Sequence, residues 1–357
     1  MKIYNILSAI ILVSAFTSCE NEILFNIKDH PPKLVVNAMI DIDRDYNYIY
    51  LCKTGKNDID SIDNAIINIY VNEELKEQIT EHFVPNIDFG GYDENNPVTG
   101  SSPFIDYGFN KQYKTELRFQ PGDKVKIEVF ADNDKYHAWA EDVIPTPIEI
   151  DNIDTMAYIE SYEQRIRLKT TFTDSPNKKN FYRIAVVQKN TLHIKNIENG
   201  AISFDYHEES LYMDSHEDII LSNGKIPTES EFVSQEKNHY MIFDDTHLNG
   251  AYTMTTSFYR PNYTYYSPYI SGGILDRVSI DFHVHLISIT EMQYFYLKAL
   301  NIISSDSYDE YLSMPIPLPS NVIGGVGFVG FSSGTHKTFT IPDIIPDPNN
   351  GGYGYPY

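Results

Sequence analysis

Three residues with the chemistry of metal ligands or of acids and bases stand at alternate positions, Asp281, His283 and His285, and their spacing says how they are held. From Val278 to Leu286 apolar and polar side chains alternate, the period of a strand with one buried face. Val278, Ile280, Phe282, Val284 and Leu286 are expected inside, with Ser279, Asp281, His283 and His285 on the opposite face. Two imidazoles at i and i+2 on a strand can share one zinc ion, with a third or fourth ligand from a neighbouring strand. A polar strand face that binds nothing is the competing expectation.

Other stretches offer binding or catalytic chemistry of a looser kind. Tyr259, Tyr263, Tyr265, Tyr266 and Tyr269 crowd around Pro261, Asn262 and Pro268, in a chain of 28 tyrosines. A phenol has a flat apolar face and a polar tip, which suits sugars, peptides or a protein partner. Asp41, Asp43 and Asp45 alternate as calcium ligands do, but the glycine and distal glutamate of a calcium loop are missing, so a solvated hairpin tip is expected. His207, Glu208, Glu209, Asp214, His216, Glu217 and Asp218 match no ligand spacing and read as a solvated loop between Ile194 and His239. Ser332 and Ser333 lie near His336, yet neighbours along one strand or turn rarely make a nucleophile and its base. With no nucleophile elbow, zinc-protease helix motif, phosphate loop or dinucleotide fingerprint, no catalytic residue and no cofactor is expected.

The elements that position these groups are mostly strands. A first domain over residues 33–147 opens with the β-branched run Lys33 to Ile40, followed by Tyr46 to Cys52 as its hairpin partner. Ala65 to Val71 is a further strand, and Phe89 to Gly108 is a polar insertion. Lys124 to Ala140 is a hairpin with Val125, Ile127 and Val129 inward, turning at Asp132-Asn133-Asp134. Short strands at this density predict an immunoglobulin-like β-sandwich, with Trp139 in the core or supporting an interdomain joint.

A second β-rich domain over residues 148–342 has strands at Arg165 to Thr170 and Phe181 to Gln188, then the strand from Val278. Ser288 with Glu291 three residues on reads as a capping box opening a helix, its core stripe Met292, Phe295, Tyr296, Ala299, Leu300 and Ile303. The glycines from Gly324 to Gly330 allow close backbone packing. Residues 343–357, rich in Gly, Pro and Tyr, are expected to form a mobile or partner-bound tail.

Residues 1–18 carry one positive charge, Lys2, and an apolar run of about a dozen residues, too short to span a bilayer of about 30 Å. Small residues and then Cys19 end the run, the pattern of an export signal whose cysteine is acylated and becomes the mature N-terminus. Residues 19–32 read as a tether, ending in the stiff His30-Pro31-Pro32. The only other cysteine, Cys52, then has no disulfide partner and is expected to be a small buried hydrophobe. The net charge is −23, and −24 once Lys2 is removed with the leader. Such a surface repels phosphate backbones, which excludes nucleic acid as a partner.

Several of these stretches together resemble the DUF4249 family of outer-membrane lipoproteins of Bacteroidetes-type bacteria. They are Lys33 to Ala38 behind a Cys-acidic leader, Lys135-Tyr136-His137-Ala138 running to Pro145, Asp174 with Asn180-Phe181-Tyr182-Arg183, Tyr294 to Leu300, and Ser320-Asn321-Val322 with Gly325-Val326-Gly327-Phe328. The resemblance implies an outer-membrane protein, with Glu20 and Glu22 as an export signal to the cell exterior, that accompanies a TonB-dependent nutrient transporter and has no catalytic residues. A structural or assembly component of the envelope is the first alternative, and a metal-dependent hydrolase using Asp281, His283 and His285 is the second.

Overall fold

The computed structural model describes residues 31–55, 59–83, 111–175, 178–222, 224, 238–248, 250–260, 269–270, 273–305, 308 and 316–346. The expected leader, Cys19, the tether up to His30 and the Phe89 to Gly108 insertion lie outside the described residues. From Lys33 on, the chain forms one compact unit and is mainly β. Its strands are β1 (Leu34–Asp41), β2 (Asn47–Thr54), β3 (Ile59–Asp60), β4 (Ala65–Val71), β5 (Glu74–Ile79), β6 (Lys111–Thr115), β7 (Lys124–Ala131) and β8 (Tyr136–Val143). They continue with β9 (Ile150–Glu160), β10 (Glu163–Thr173), β11 (Phe181–Lys195), β12 (Ile202–Ser210), β13 (Ile242–Asp244), β14 (Ala251–Tyr259), β15 (Tyr269–Ile270), β16 (Gly273–Ile289) and β17 (Val326–Ile344). One helix among the described residues, α1 (Glu291–Ile303), joins β16 to β17.

A ten-stranded sheet runs in the order β12-β11-β16-β17-β1-β2-β3, with β13, β15 and β6 attached to β11, β16 and β2. β17 hands the sheet from one half to the other. Its first residues pair with β1 in parallel, from Val35 opposite Val326 to Asp41 opposite Ser332. Its later residues pair with β16 in antiparallel, from Ser332 opposite Ile289 to Ile344 opposite Val278. The two ladders overlap at Ser332.

One face of this sheet bears two cores. Leu34, Val36, Ala38 and Ile40 of β1, with Val329 and Phe331 of β17, pack against Ile67 and Ile69 of β4 and Val125, Ile127 and Val129 of β7. That four-stranded sheet, β5-β4-β7-β8, makes the first sandwich. Val278, Ile280, Phe282, Val284 and Leu286 of β16 pack against Leu168 and Phe172 of β10 and Met254 and Phe258 of β14. That three-stranded sheet, β14-β10-β9, makes the second. Each buried apolar side chain contributes about 1.5–3 kcal/mol, so the alternation in β16 settles which of its faces turns inward. The division expected at Pro147 separates the two cores in sequence up to that point, but β17 contributes to both, because a parallel partner can come from the far end of a chain.

The hairpin at Asp132-Asn133-Asp134 turns through three consecutive left-handed residues, φ 52°, 56° and 64°, a conformation that Asn and Asp tolerate. Trp139 is half-buried rather than core. Its backbone makes a two-way bridge with Ile323 (2.9 and 2.8 Å), which ties the glycine segment to β8, and Lys126 Nζ lies 5.2 Å over its ring. Cys52 is buried, and desolvation pushes its thiol up to about 11.

Four expectations need correction. Ser288 does not cap the helix: it lies in β16, because the ladder with β17 continues through Ile289. Thr290 is the N-cap residue, and its hydroxyl accepts a bond from the Phe331 N–H (3.3 Å) instead of capping the first turn. The helix buries Tyr294, Tyr296, Leu297 and Ala299, with Gln293 and Asn301, while Phe295 is 42% exposed. The stretch read as a solvated loop contains β12, and β17 runs two residues into the expected tail.

Gly327 carries the parallel ladder at its tightest point. Its φ is +115°, and a Cβ there would collide with the Val36 carbonyl. Gly327→Ala is expected to lower the stability by at least about 2 kcal/mol, read as a reduced urea midpoint with an unchanged m-value.

Candidate functional site

The other face of the sheet is where the expected ligand residues lie. Along β16 and β17 it presents Ile287 with Gly334, His285 with His336, His283 with Thr338, and Asp281 with Thr340 as paired neighbours. On the far side of β16 the corresponding residues of β11 are Arg183, Ala185, Val187 and Lys189. The helix covers one end: Phe181, Ile287 and Ile289 pack under Tyr294 and Leu297, and Tyr296 stacks on Phe328 at 4.4 Å between ring centroids. Beyond the helix the face turns polar.

His283 and His285 are joined by a third imidazole, His336, which register alone brings opposite His285. Ring centroids are 5.2 Å apart for His285 and His336, 5.9 Å for His283 and His336, and 6.5 Å for His283 and His285. Asp43 reaches the same face from the β1–β2 turn, where its Oδ2 accepts the Gly334 N–H at 2.7 Å. Burial first, and then the Asp41 charge, raise the Asp43 carboxyl, while the Gly334 N–H and His336 oppose them.

These groups do not form the expected metal centre. Asp281 accepts the Thr340 hydroxyl at 2.6 Å, and the Thr338 hydroxyl lies 2.8 Å from His283 Nδ1. Among the described residues no group of three or more His, Cys, Asp or Glu is arranged to hold a metal ion. A strand sends i and i+2 side chains out in parallel, and here Asp281 and His283 each meet a hydroxyl across the ladder while His285 faces His336.

What the arrangement does hold is uncharged imidazole. Desolvation, then the charges of His336 and His283, push His285 down to about 4. Burial and His336 also lower His283, against the opposing pull of Asp281 and Glu208.

The remaining expected residues scatter. Tyr259 ends β14, 52% exposed, with the Arg165 guanidinium 4.8 Å over its ring. Tyr269 is in β15, paired through its backbone with Ile274, whereas Tyr263, Tyr265 and Tyr266 lie outside the described residues. The aspartates at the hairpin tip are committed locally: Asp41 accepts the Asp43 N–H and Arg44 Nε, and Asp45 pairs with Arg118. Of the acidic stretch, Asp218 is buried and accepts bonds from the Tyr252 hydroxyl and the Thr255 N–H, and Asp214 lies 2.6 Å from His216 Nδ1. Ser333 donates to the Pro145 carbonyl on the face opposite His336, so the two are not a nucleophile and its base.

A family model described as a domain of unknown function, DUF4249, matches residues 20–338. No curated protein matches the chain. Among solved structures, a DUF4785 family protein from Legionella pneumophila is 9% identical with a TM-score of 0.21, over 71% of this chain and 52% of that one. The chain therefore spans about half the length of that neighbour, and at this score the likeness carries no argument. Among the described residues no helix is long and apolar enough to cross a membrane.

The unfolded chain binds protons at imidazoles that the folded face keeps neutral, so stability rises with pH. The His285 contribution is intact above about 6.5 and is lost as the pH falls from there toward about 4. Urea midpoints are expected to drop between about pH 7 and pH 5, with a shallower drop in His285→Gln; identical slopes in the two proteins would remove His285 as the cause.

Proposed function

Because the chain belongs to the DUF4249 family, whose description assigns no activity, its role has to come from its own residues, and we propose a lipid-anchored protein of the outer membrane that binds a ligand or a transporter and performs no chemistry. One observation carries this reading: the apolar run of residues 1–18 ends at Cys19. An acylated cysteine there anchors the chain, since each buried methylene is worth about 0.8 kcal/mol and several acyl chains hold a protein firmly. The family match begins at residue 20, directly behind that cysteine. Glu20 and Glu22 favour display at the cell exterior, and the partner is a TonB-dependent nutrient transporter. The non-catalytic reading is supported by the side chains themselves, which are committed to hydroxyls, backbone and ion pairs rather than poised as a nucleophile with its base.

A second reading, a structural component of the envelope, is favoured by β12. That strand ends the ten-stranded sheet, with Ile202, Phe204 and Tyr206 51%, 53% and 60% exposed. An exposed edge of this kind invites another chain.

Growth with an alkyne palmitate should label the wild-type protein and leave Cys19→Ser unlabelled and absent from the outer-membrane fraction. An unmodified thiol at Cys19 overturns the anchor. Capture of the tagged protein from detergent-solubilised outer membranes should recover a TonB-dependent transporter, whereas envelope structural proteins alone would favour the second reading.

A further inference from the structure

Two arginines in the described structure are equally buried, each 9% exposed, and they are treated in opposite ways. Arg165 has its charge answered by Glu160 Oε2 at 3.2 Å and Asp214 Oδ2 at 3.3 Å, with the Ser257 hydroxyl at 2.9 Å and the Tyr259 ring beneath it, although its Nε has no partner. Arg183 has one bond, from Nε to the Tyr240 carbonyl at 3.0 Å. Among the described residues no carboxylate lies within 4.0 Å of its guanidinium. A guanidinium stays charged at any ordinary pH, and a charge taken largely out of water without an opposite one is disfavoured.

The surroundings do not supply the missing charge. Asp41 is near enough to favour the charged form, but its Oδ1 accepts the Asp43 N–H and its Oδ2 the Arg44 Nε. Arg44 adds a second positive charge that opposes Arg183, and desolvation, the largest influence, brings Arg183 down to about 10. Its cross-strand partners are apolar, Ile287 on β16 and Ile242 on β13, and Tyr240, which accepts its Nε–H, has its own N–H held by the Asn301 side chain at 3.3 Å. Burial raises the Tyr240 hydroxyl, which stays a proton donor.

We propose that Arg183 anchors a binding site for a carboxylate-bearing ligand on the helix side of the sheet, beside Tyr240 and the Asp41–Arg44 turn. A planar carboxylate accepts two parallel bonds from the guanidinium fork that Nε leaves free. A single negative charge suits the site better than a phosphate, because each further charge is repelled by a chain of net charge −23. The apolar and aromatic neighbours Ile287, Ile242 and Tyr240 favour a ligand whose acid group is carried on a hydrophobic body. This site rests on the reading of the chain as a binding protein and names the ligand class for it.

The test is thermal unfolding of the purified full chain with sodium chloride, acetate, hexanoate or phosphate at constant ionic strength. Hexanoate is expected to raise the Tm saturably above chloride, with acetate weaker. Arg183→Met should match or exceed the wild-type Tm in chloride, since it removes an uncompensated buried charge, and should lose the hexanoate shift. Arg183→Lys, which keeps the charge without the fork, should bind hexanoate about tenfold more weakly. No shift beyond chloride, or a full shift retained in Arg183→Met, overturns the site, and a larger shift with phosphate overturns the carboxylate assignment. A strongly lowered Tm of Arg183→Met in chloride would make Arg183 a structural residue and also overturn it. Recovery or loss of a transporter in the membrane capture leaves these outcomes unchanged, so the two readings fail separately.

Discussion

The pairing of β17 with two different partners is the constraint on which the rest of this structure depends. Over Val326 to Ser332 it completes the sheet beside β1, and over Ser332 to Ile344 it completes the sheet beside β16. Val329 and Phe331 belong to the first core, while Phe339 and Ile341 pack on the second. Without this strand each sandwich keeps its cover sheet but loses the edge of its floor. The close approach at Gly327, the Trp139–Ile323 bridge and the Asp43 bond to Gly334 all serve to fix where that strand lies.

The two faces of the large sheet obey different economies of charge. The inner face is lined mainly by apolar side chains, with Gln188, Asn190, Ser288 and Ser333 as buried polar exceptions, so its apolar residues have one place to go. The outer face carries aromatic contacts under the helix, then neutral imidazoles and hydroxyls, then Asp281 and Lys189 toward the β12 edge. Polar groups there are satisfied across the ladder, as the Thr338–His283 and Thr340–Asp281 bonds show. Arg183 departs from that rule by sitting under cover with only a carbonyl for company.

The sequence is most informative where burial and period agree. β16 and β7 alternate as the residues dictate, because shifting either by one position would turn a whole apolar row to water. β12 has no such signal, since all nine of its residues are exposed, and it forms by backbone pairing with the end of β11. β17 is obscured by its Gly, Ser and Thr content, which backbone ladders on both sides overrule. Local capping chemistry at Ser288 and Glu291 loses to the continuing β16 ladder, which displaces the helix start. His283 and His285 are readable as neighbours from their spacing, whereas His336 becomes their neighbour only through cross-strand register. Arg183 reads as part of a buried run, and nothing local reveals that its counter-charge is missing.

The parallel ladder also orders events in time. Asn37 accepts the Phe328 N–H across 291 positions of sequence, so the first strand has no partner on that side until the last has been made. At a ribosomal pace of about 5–20 residues per second, that wait is roughly fifteen seconds to a minute. Until then the first strand keeps an unpaired flank, and a chain cut short before residue 326 would have a half-built floor.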